Sequence, residues 1–277
     1  MTYEAKVREF YDTALHCYEQ FMGDRWHHGD PEAEASGVSP RRACEILEEQ
    51  IVSLVGLEEG RWALDFGSGI GGPTLHMAKV SSASFVGITN NERLNQRARD
   101  KAAELGLAAK ARFITVGDTD YKNLPFPDNT FDAATFYESV CHIPDKPALF
   151  RELCRILKPG GRLGGMDWLQ RPFGDHQTEE QIMQFMRPLN DSTAIPGHGT
   201  VESYKKMMEA AGLEVTMARD MYEGVKSRGS ATPAEQAQWL HYEGPEGEMF
   251  QKGKKALDDA RSAGVFTVGM FAAVKPR

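Results

Sequence analysis

The stretch Ala63-Leu64-Asp65-Phe66-Gly67-Ser68-Gly69-Ile70-Gly71-Gly72-Pro73 decides the reading of this chain. A short apolar strand runs straight into a glycine cluster that opens a helix. Strand, tight turn and helix in that order make a βα unit, and ligands bind such sheets at the carboxyl edge. Glycine at the turn lets a ligand approach the main chain closely. Gly67, Gly69 and Gly72 satisfy G-x-G-x-x-G, so a dinucleotide site has to be weighed. Two features oppose it. The second strand ends Gly87-Ile88-Thr89-Asn90-Asn91, without the carboxylate an NAD ribose needs. Asp65 would also add negative charge where such a loop holds pyrophosphate. A zwitterionic ligand with an ammonium group would instead welcome Asp65. The plain alternative is a glycine turn that binds nothing.

Outward from this unit, the runs WALDF, SFVGI, ARFITV, FDAATFY and GRLGGMDWL alternate with helical stretches. That alternation predicts an α/β fold, a parallel sheet wrapped by helices. Residues 3–22 read as an amphipathic helix, with Val7, Phe10, Tyr11, Ala14, Tyr18 and Phe21 at three- and four-residue steps. After the turn-rich DRWHHGDPEAEASG, Ser39-Pro40 starts a second helix with a capping hydroxyl and a proline at the first position. Residues 170–200 break the rhythm and read as an insert over the carboxyl edge. The final unit reads as a helix near 201–211, a strand LEVTMARD, two helical segments and a closing strand GVFTVGMFAAV. The expected organisation is one domain over 1–277, with a helical cover at 1–58 and a lid at 170–200.

The 277 residues suffice for one full core plus a lid. A formal net charge of −8 argues against a nucleic-acid partner, which needs clustered Lys and Arg. No apolar stretch is long enough to span a bilayer, and MTYEAKVREFYD lacks the apolar core of a signal peptide. Cys17, Cys44, Cys141 and Cys154 form no C-x-x-C pair. The expectation is a cytoplasmic enzyme with free thiols and no structural metal.

Further positions fit an adenosine ligand. Thr89 and Asn90, at the tip of the second strand, could bond ribose hydroxyls. Asp118, in Val116-Gly117-Asp118-Thr119, could accept from an adenine amino group, or simply cap its own turn. Phe113 and Ile114 read as core.

With these residues the chain resembles the class I S-adenosylmethionine-dependent methyltransferases over roughly 40–170, and more loosely to the end. The stretches that carry the resemblance are ALDFGSGIGGP, GITNNERLNQRAR and GDTDYKNLPFPDNTFDAATFYESVCHIPDKPALFRELCRILKPGGRL. Within that class it is similar to sterol, tocopherol and quinone methyltransferases and to natural-product sugar O-methyltransferases. Glu138-Ser139-Val140-Cys141-His142-Ile143-Pro144-Asp145 looks like the E-x-x-C-H-x-P-D run of sterol C-methyltransferases. Leu157-Lys158-Pro159-Gly160-Gly161 is typical of the whole superfamily and says nothing of substrate. Many members carry an acidic ribose ligand where this chain has Thr89; sterol-like and cyclopropanating relatives also lack it. The resemblance implies a Rossmann-like, seven-stranded sheet with an antiparallel last hairpin and substrate under the lid. It also implies that the cofactor S-adenosylmethionine meets Asp65, Gly67, Ser68, Gly69, Thr89, Asn90, Asp118, Thr119 and Glu138.

Methyl transfer from a sulfonium needs mainly positioning, and a base where the acceptor must lose a proton. Glu138, His142 and Asp167 follow the fourth and fifth strands, where that base belongs. An imidazole of ordinary pKa near 6.5 suits the task, with activity falling below about pH 6. In the sugar O-methyltransferases a histidine matching His142 and an aspartate matching Asp167 form the base pair, while the adjacent histidine of that group is Cys141 here. Glu138 reads rather as ordering a loop. The bland alternatives are a loop histidine bonded to backbone and an aspartate capping a turn. Trp26, His27, Tyr18, Met186 and His198 are candidates for the substrate pocket. Met186 belongs to the apolar lid set Ile182, Met183, Phe185 and Met186, and His198 to a possible hinge, Pro196-Gly197-His198-Gly199. Tyr11 and Tyr204 face either substrate or core. His27 and His28 are adjacent, diverge, and lack a third metal ligand. The function expected is C- or O-methylation of a small lipophilic natural-product or isoprenoid-type metabolite. N-methylation of a small amine is one alternative, and a cyclase or binding protein of the same fold that transfers no methyl is another. The aromatic stripe of residues 3–22 is expected to cover the active site of its own chain or of a second copy in a homo-oligomer.

Overall fold

The computed structural model describes residues 2–174, 177–224 and 243–277. Its strands are β1 (Trp62–Phe66), β2 (Ser84–Thr89), β3 (Ala111–Thr115), β4 (Phe131–Tyr137), β5 (Leu157–Gln170), β6 (Glu214–Asp220) and β7 (Phe266–Val274). They form one sheet in the order β3-β2-β1-β4-β5-β7-β6. The first five run parallel, and β7 lies antiparallel between β5 and β6. This is the expected Rossmann-like sheet with its antiparallel closing hairpin.

The helices are α1 (Tyr3–Met22), α2 (Pro31–Ala35), α3 (Pro40–Val55), α4 (Gly72–Ser81), α5 (Glu92–Glu104), α6 (Lys146–Ile156), α7 (Glu179–Ser192), α8 (Val201–Ala210) and α9 (Pro245–Ser262). Successive strand residues point to opposite faces, and each face has its own core. Ala63 and Phe85 enter the core shared with α3, α4, α5, α7 and α9. Leu64, Phe66, Val86 and Ile88 enter the core shared with α6 and α8. Burial on both faces is why these strands read as continuous apolar runs.

Local signals set the helix ends. The Ser39 hydroxyl accepts from the Arg42 amide at 3.2 Å and Pro40 takes the first position. The same helix stops at Gly56, whose φ of +65° suits glycine. Thr178 and Gln181 cap α7 reciprocally. Strand β5 starts earlier than its apolar pattern suggests: Leu157 pairs with Phe131, and the register with β4 resumes only at Arg162 opposite Ala133. The Lys158–Gly161 segment is therefore a bulge, with the Gly160 amide bonded to the Lys275 carbonyl at 2.8 Å. One of the two helical segments expected between β6 and β7 is α9; the other falls outside the described residues. No helix among the described residues is long and apolar enough to cross a membrane.

Helix α1 lies over the carboxyl edge. Leu15 packs with Ile70 and Leu94, and Cys17 and Phe21 pack with Phe250 of α9. Polar ties flank these contacts: Arg8 pairs with Asp118 at 2.5 Å, and Asn91 donates to Asp12 at 3.1 Å. The apolar stripe thus meets its own chain, one of the two surfaces expected for it.

Candidate functional site

Two chambers open at the carboxyl edge beneath α1. The first, of about 130 Å³, runs from the end of β1 past the tip of β2 to the loop after β3. Asp65, Gly67, Ser68, Gly69, Thr89, Asn90 and Asp118 all line it. Gly67 and Gly69 have φ of +72° and +53°, a region that only glycine enters freely. A Cβ on Gly67 would lie 2.3 Å from that of Ser139, so the turn after β1 fits against the turn after β4 only without a side chain. Asp65 is buried and accepts from Thr74 at 2.5 Å and from Thr135 at 2.9 Å. Burial pushes its carboxyl up to about 6, against the pull of those hydroxyls. Asp118, at the other end, takes Arg8 and, at 3.1 Å, the Asn90 amide.

The second chamber, of about 110 Å³, lies between α1, α9 and the end of α7. Its wall includes the aromatic rings of Phe10, Tyr18, Trp168 and Phe250. Tyr18 meets Trp26 at 5.0 Å and Phe250 at 5.7 Å between ring centres, edge to face. Lys254, Asp258 and Arg261 of α9 supply its polar side.

Tyr11, Trp26, His27, Glu138 and His142 line both chambers and form the wall between them. Trp26 stacks on Tyr11 with rings 5° from parallel. The segment carrying Trp26 is held by the buried Glu48, which takes Arg25 at 2.9 Å and His27 at 3.1 Å. Burial lowers the His27 pKa, but the Glu48 hydrogen bond and charge outweigh it and raise it. Glu138 sits at φ +46° and accepts from the His28 amide at 2.8 Å, from His28 Nδ1 at 2.6 Å and from Trp168 Nε1. Burial pushes its carboxyl up, yet His28 and His27 hold it below the usual range. Glu138 is thus an ionised anchor for the partition, with its oxygens committed.

His142 lies in a short turn after β4. Its Nδ1 is 3.0 Å from the Ala194 carbonyl, which only accepts, so Nδ1 carries the proton. Nε2 then presents a lone pair, 2.9 Å from the Tyr11 hydroxyl. Burial lowers the imidazole to about 4, so it is neutral at ordinary pH. The acid limb expected near pH 6 therefore moves down.

Several expected contacts are not made. Asp167 is fully buried, outside both chambers, and does not orient His142. It accepts from Tyr204 at 2.9 Å and from the Trp168 amide, and also bonds Cys141; burial pushes it up to about 7. Tyr204 is core for the same reason. Met186 is packed with Ile182 and Leu189 into the sheet core, because that apolar face of α7 serves as an inner face. Only the residues ending α7, Ser192 and Thr193, with Ile195 beyond, reach the second chamber. His198 bonds Asn190 at 2.6 Å behind Trp168 and reaches neither chamber. Thr119 is exposed before the turn at Asp120–Lys122 and lines nothing. The sequence leaves Tyr11 open between substrate and core and carries no signal for Phe250 or Arg261, which reach the second chamber from the far end of the chain. Among the described residues no three His, Cys, Asp or Glu side chains group as a metal site.

Residues 64–164 match the family described as Methyltransferase domain. The sterol 24-C-methyltransferase erg6 of Aspergillus fumigatus is 33% identical over 178 residues, 64% of this chain and 46% of that protein. The cycloartenol-C-24-methyltransferase of Arabidopsis thaliana is 28% identical over 79% of this chain and 63% of its own. The chain thus spans between about half and two thirds of the length of these relatives. Among solved structures, the 4+2 cyclase SpnF superposes with a TM-score of 0.81 at 25% identity, covering 100% of this chain and 97% of that one.

Proposed function

We propose that this chain, a class I methyltransferase by its fold and by the match over residues 64–164, methylates carbon in a lipophilic, isoprenoid-type small molecule held in the second chamber. One observation carries the reading: a chamber with an amino-acid and nucleoside donor set shares the wall Tyr11, Trp26, His27, Glu138 and His142 with an aromatic chamber. S-adenosylmethionine fits the first chamber by that donor set. Asp65 would meet its ammonium, the bare main chain at Gly67 and Gly69 its amino-acid part, Thr89 and Asn90 its ribose, and Asp118 its adenine. When bound, it supplies an activated methyl group on sulfonium sulfur.

The chain's own residues favour carbon over oxygen. A base with a pKa of about 4, as at His142, is a poor acceptor for an alcohol proton. A proton beside a carbocation is far more acidic, and such a base suffices for it. Aromatic faces such as Tyr18, Trp26 and Phe250 stabilise positive charge on the acceptor without offering it a nucleophile. The sterol methyltransferase relatives support the same acceptor class.

The test is incubation with methyl-labelled S-adenosylmethionine and a panel of sterols, prenyl alcohols, prenyl diphosphates and aliphatic amines. Label appearing on carbon of an isoprenoid supports the proposal; label on oxygen or nitrogen alone overturns the carbon assignment. The full-length likeness to a cyclase favours a second reading, cyclisation without transfer. It would show as a ring-closed product formed with no release of S-adenosylhomocysteine.

A further inference from the structure

Lys146 opens α6, four residues after His142, yet it is only 7% exposed. A lysine at the first turn of a surface helix ordinarily extends into water. Here its ammonium has three protons and three acceptors: the carbonyls of Cys141 at 3.1 Å, Ile143 at 3.0 Å and Gly197 at 3.1 Å. Burying an ammonium on neutral carbonyls costs more free energy than an apolar side chain would at the same place. What it gains is connection. Cys141 and Ile143 flank His142 in the turn after β4, and Gly197 belongs to the segment whose Ala194 carbonyl takes the His142 proton. One side chain therefore ties together the segment that carries the imidazole and the segment that fixes its tautomer.

We infer that Lys146 is the positioning residue of the partition: it locks the His142 turn onto the 194–197 segment, so that Nδ1 stays on the Ala194 carbonyl and the Nε2 lone pair points toward Tyr11. The inference rests on the proposed role of His142 for its effect on turnover, but its structural part does not. The groups that bear on His142 are Tyr11 from α1, Glu138 after β4, His198 from the loop before α8, and Lys146 itself. After burial, the Lys146 charge is the main influence lowering the imidazole pKa, opposed by the Ala194 hydrogen bond and by Glu138. Burial lowers Lys146 in turn, and Cys141 and Asp167 counter it.

The experiment compares wild type, Lys146→Gln and Lys146→Arg in the full chain by histidine ring NMR between pH 4.5 and 8, together with kcat and KM. In the wild type the His142 ring stays neutral, with the proton on Nδ1, down to about pH 5. In Lys146→Gln we expect it to titrate at higher pH and to lose the single tautomer. Turnover should fall about 10- to 100-fold, the size of losing hydrogen bonds to a charged group. The KM for S-adenosylmethionine should hardly move. Lys146→Arg, which keeps the charge, should restore the low pKa and recover part of kcat. A folded Lys146→Gln with the wild-type His142 titration and tautomer overturns the inference whether or not any acceptor is turned over. If Lys146→Gln does not fold, Lys146→Arg decides: a His142 that protonates at higher pH there overturns it, and one held neutral supports it. A changed titration in a chain that methylates nothing would instead sustain the clamp and sink the methyltransferase proposal.

Discussion

The hydroxyl of Tyr11 and Nε2 of His142 lie 2.9 Å apart although 131 residues separate them, and this contact joins the roof helix to the partition between the chambers. Because Nδ1 is spent on Ala194, the tyrosine donates and the histidine accepts. Burial raises the Tyr11 hydroxyl well above its ordinary pKa, so it keeps its proton. Tyr11→Phe removes the donor and leaves the ring. We expect kcat to fall about 5- to 30-fold, in keeping with one buried hydrogen bond, with S-adenosylhomocysteine affinity within about twofold by calorimetry. A drop in affinity matching the drop in rate would point to a purely structural contact.

His142→Ala should lower turnover by about 10²–10⁴-fold if the imidazole accepts the proton. In the wild type the acid limb should lie near pH 4, where the buried imidazole protonates, and not near 6. The sign follows from the depressed pKa: the neutral form is active and is lost as pH falls through about 4. A limb at pH 6.5 in kcat would mean that the histidine is solvated during turnover.

Cofactor affinity should carry a different pH signature. The Asp65 carboxyl, raised to about 6 by burial, is ionised above that pH and takes up a proton below it. An ammonium ligand therefore loses its partner on the acid side. We expect the affinity for S-adenosylhomocysteine to weaken by about tenfold per pH unit below 6. Asp65→Asn should flatten that slope. An affinity independent of pH from 5 to 8 in the wild type would remove Asp65 from the ammonium site.

Deleting residues 2–22 should impair both chambers, because Val7 and Tyr11 line the first, and Phe10, Tyr11 and Tyr18 the second. A cover over the acceptor alone would leave cofactor binding intact. The Arg8–Asp118 pair and the lining residues imply that it does not. We expect loss of turnover and a several-fold weaker S-adenosylhomocysteine complex. Normal binding by the truncated chain would confine the role of α1 to the acceptor.

Glu48→Gln tests the strap that carries Trp26. Glu48 is fully buried between Arg25 and His27, so neutralising it takes the charge from both and leaves the buried guanidinium to Asp24 at 2.8 Å and Glu45 at 3.5 Å. Losing one of three carboxylate partners should cost about 1.5–3 kcal/mol, the size of hydrogen bonds to a charged group, which thermal unfolding would show as a drop in Tm. An unchanged Tm would mean that solvent reaches the pair.

The sheet and the grouping of residues around the first chamber were legible because their signals are local. Strand, glycine turn and Asp65 lie within a few residues, and tertiary packing only had to confirm their order. The acceptor side was less legible. Met186 looked like a lid residue, but an apolar helix face reads the same whether it covers a ligand or a sheet. Asp167 is one residue from Trp168 on β5, and alternation along the strand turns it away from the chambers; His198 lies three residues beyond Ile195, the last of its segment to line one. Tyr11, Phe250 and Arg261 come together from opposite ends of the chain, and no spacing rule announces such a meeting. The low pKa of His142 follows from burial under α1, which composition does not reveal.

The place of β7 has a consequence for the order in which the protein can be assembled. Strand β6 is made well before β7, yet among the described residues it pairs with no other strand, and β5 also waits for β7 on that side. Until residues 266–274 emerge from the ribosome, the nascent chain shows one half-built sheet edge and one orphan strand, both open to pairing with neighbours. Completion is a wedge driven in from late sequence, so loss of this segment should leave an aggregation-prone chain whose ligand chambers also lose the seat of α9.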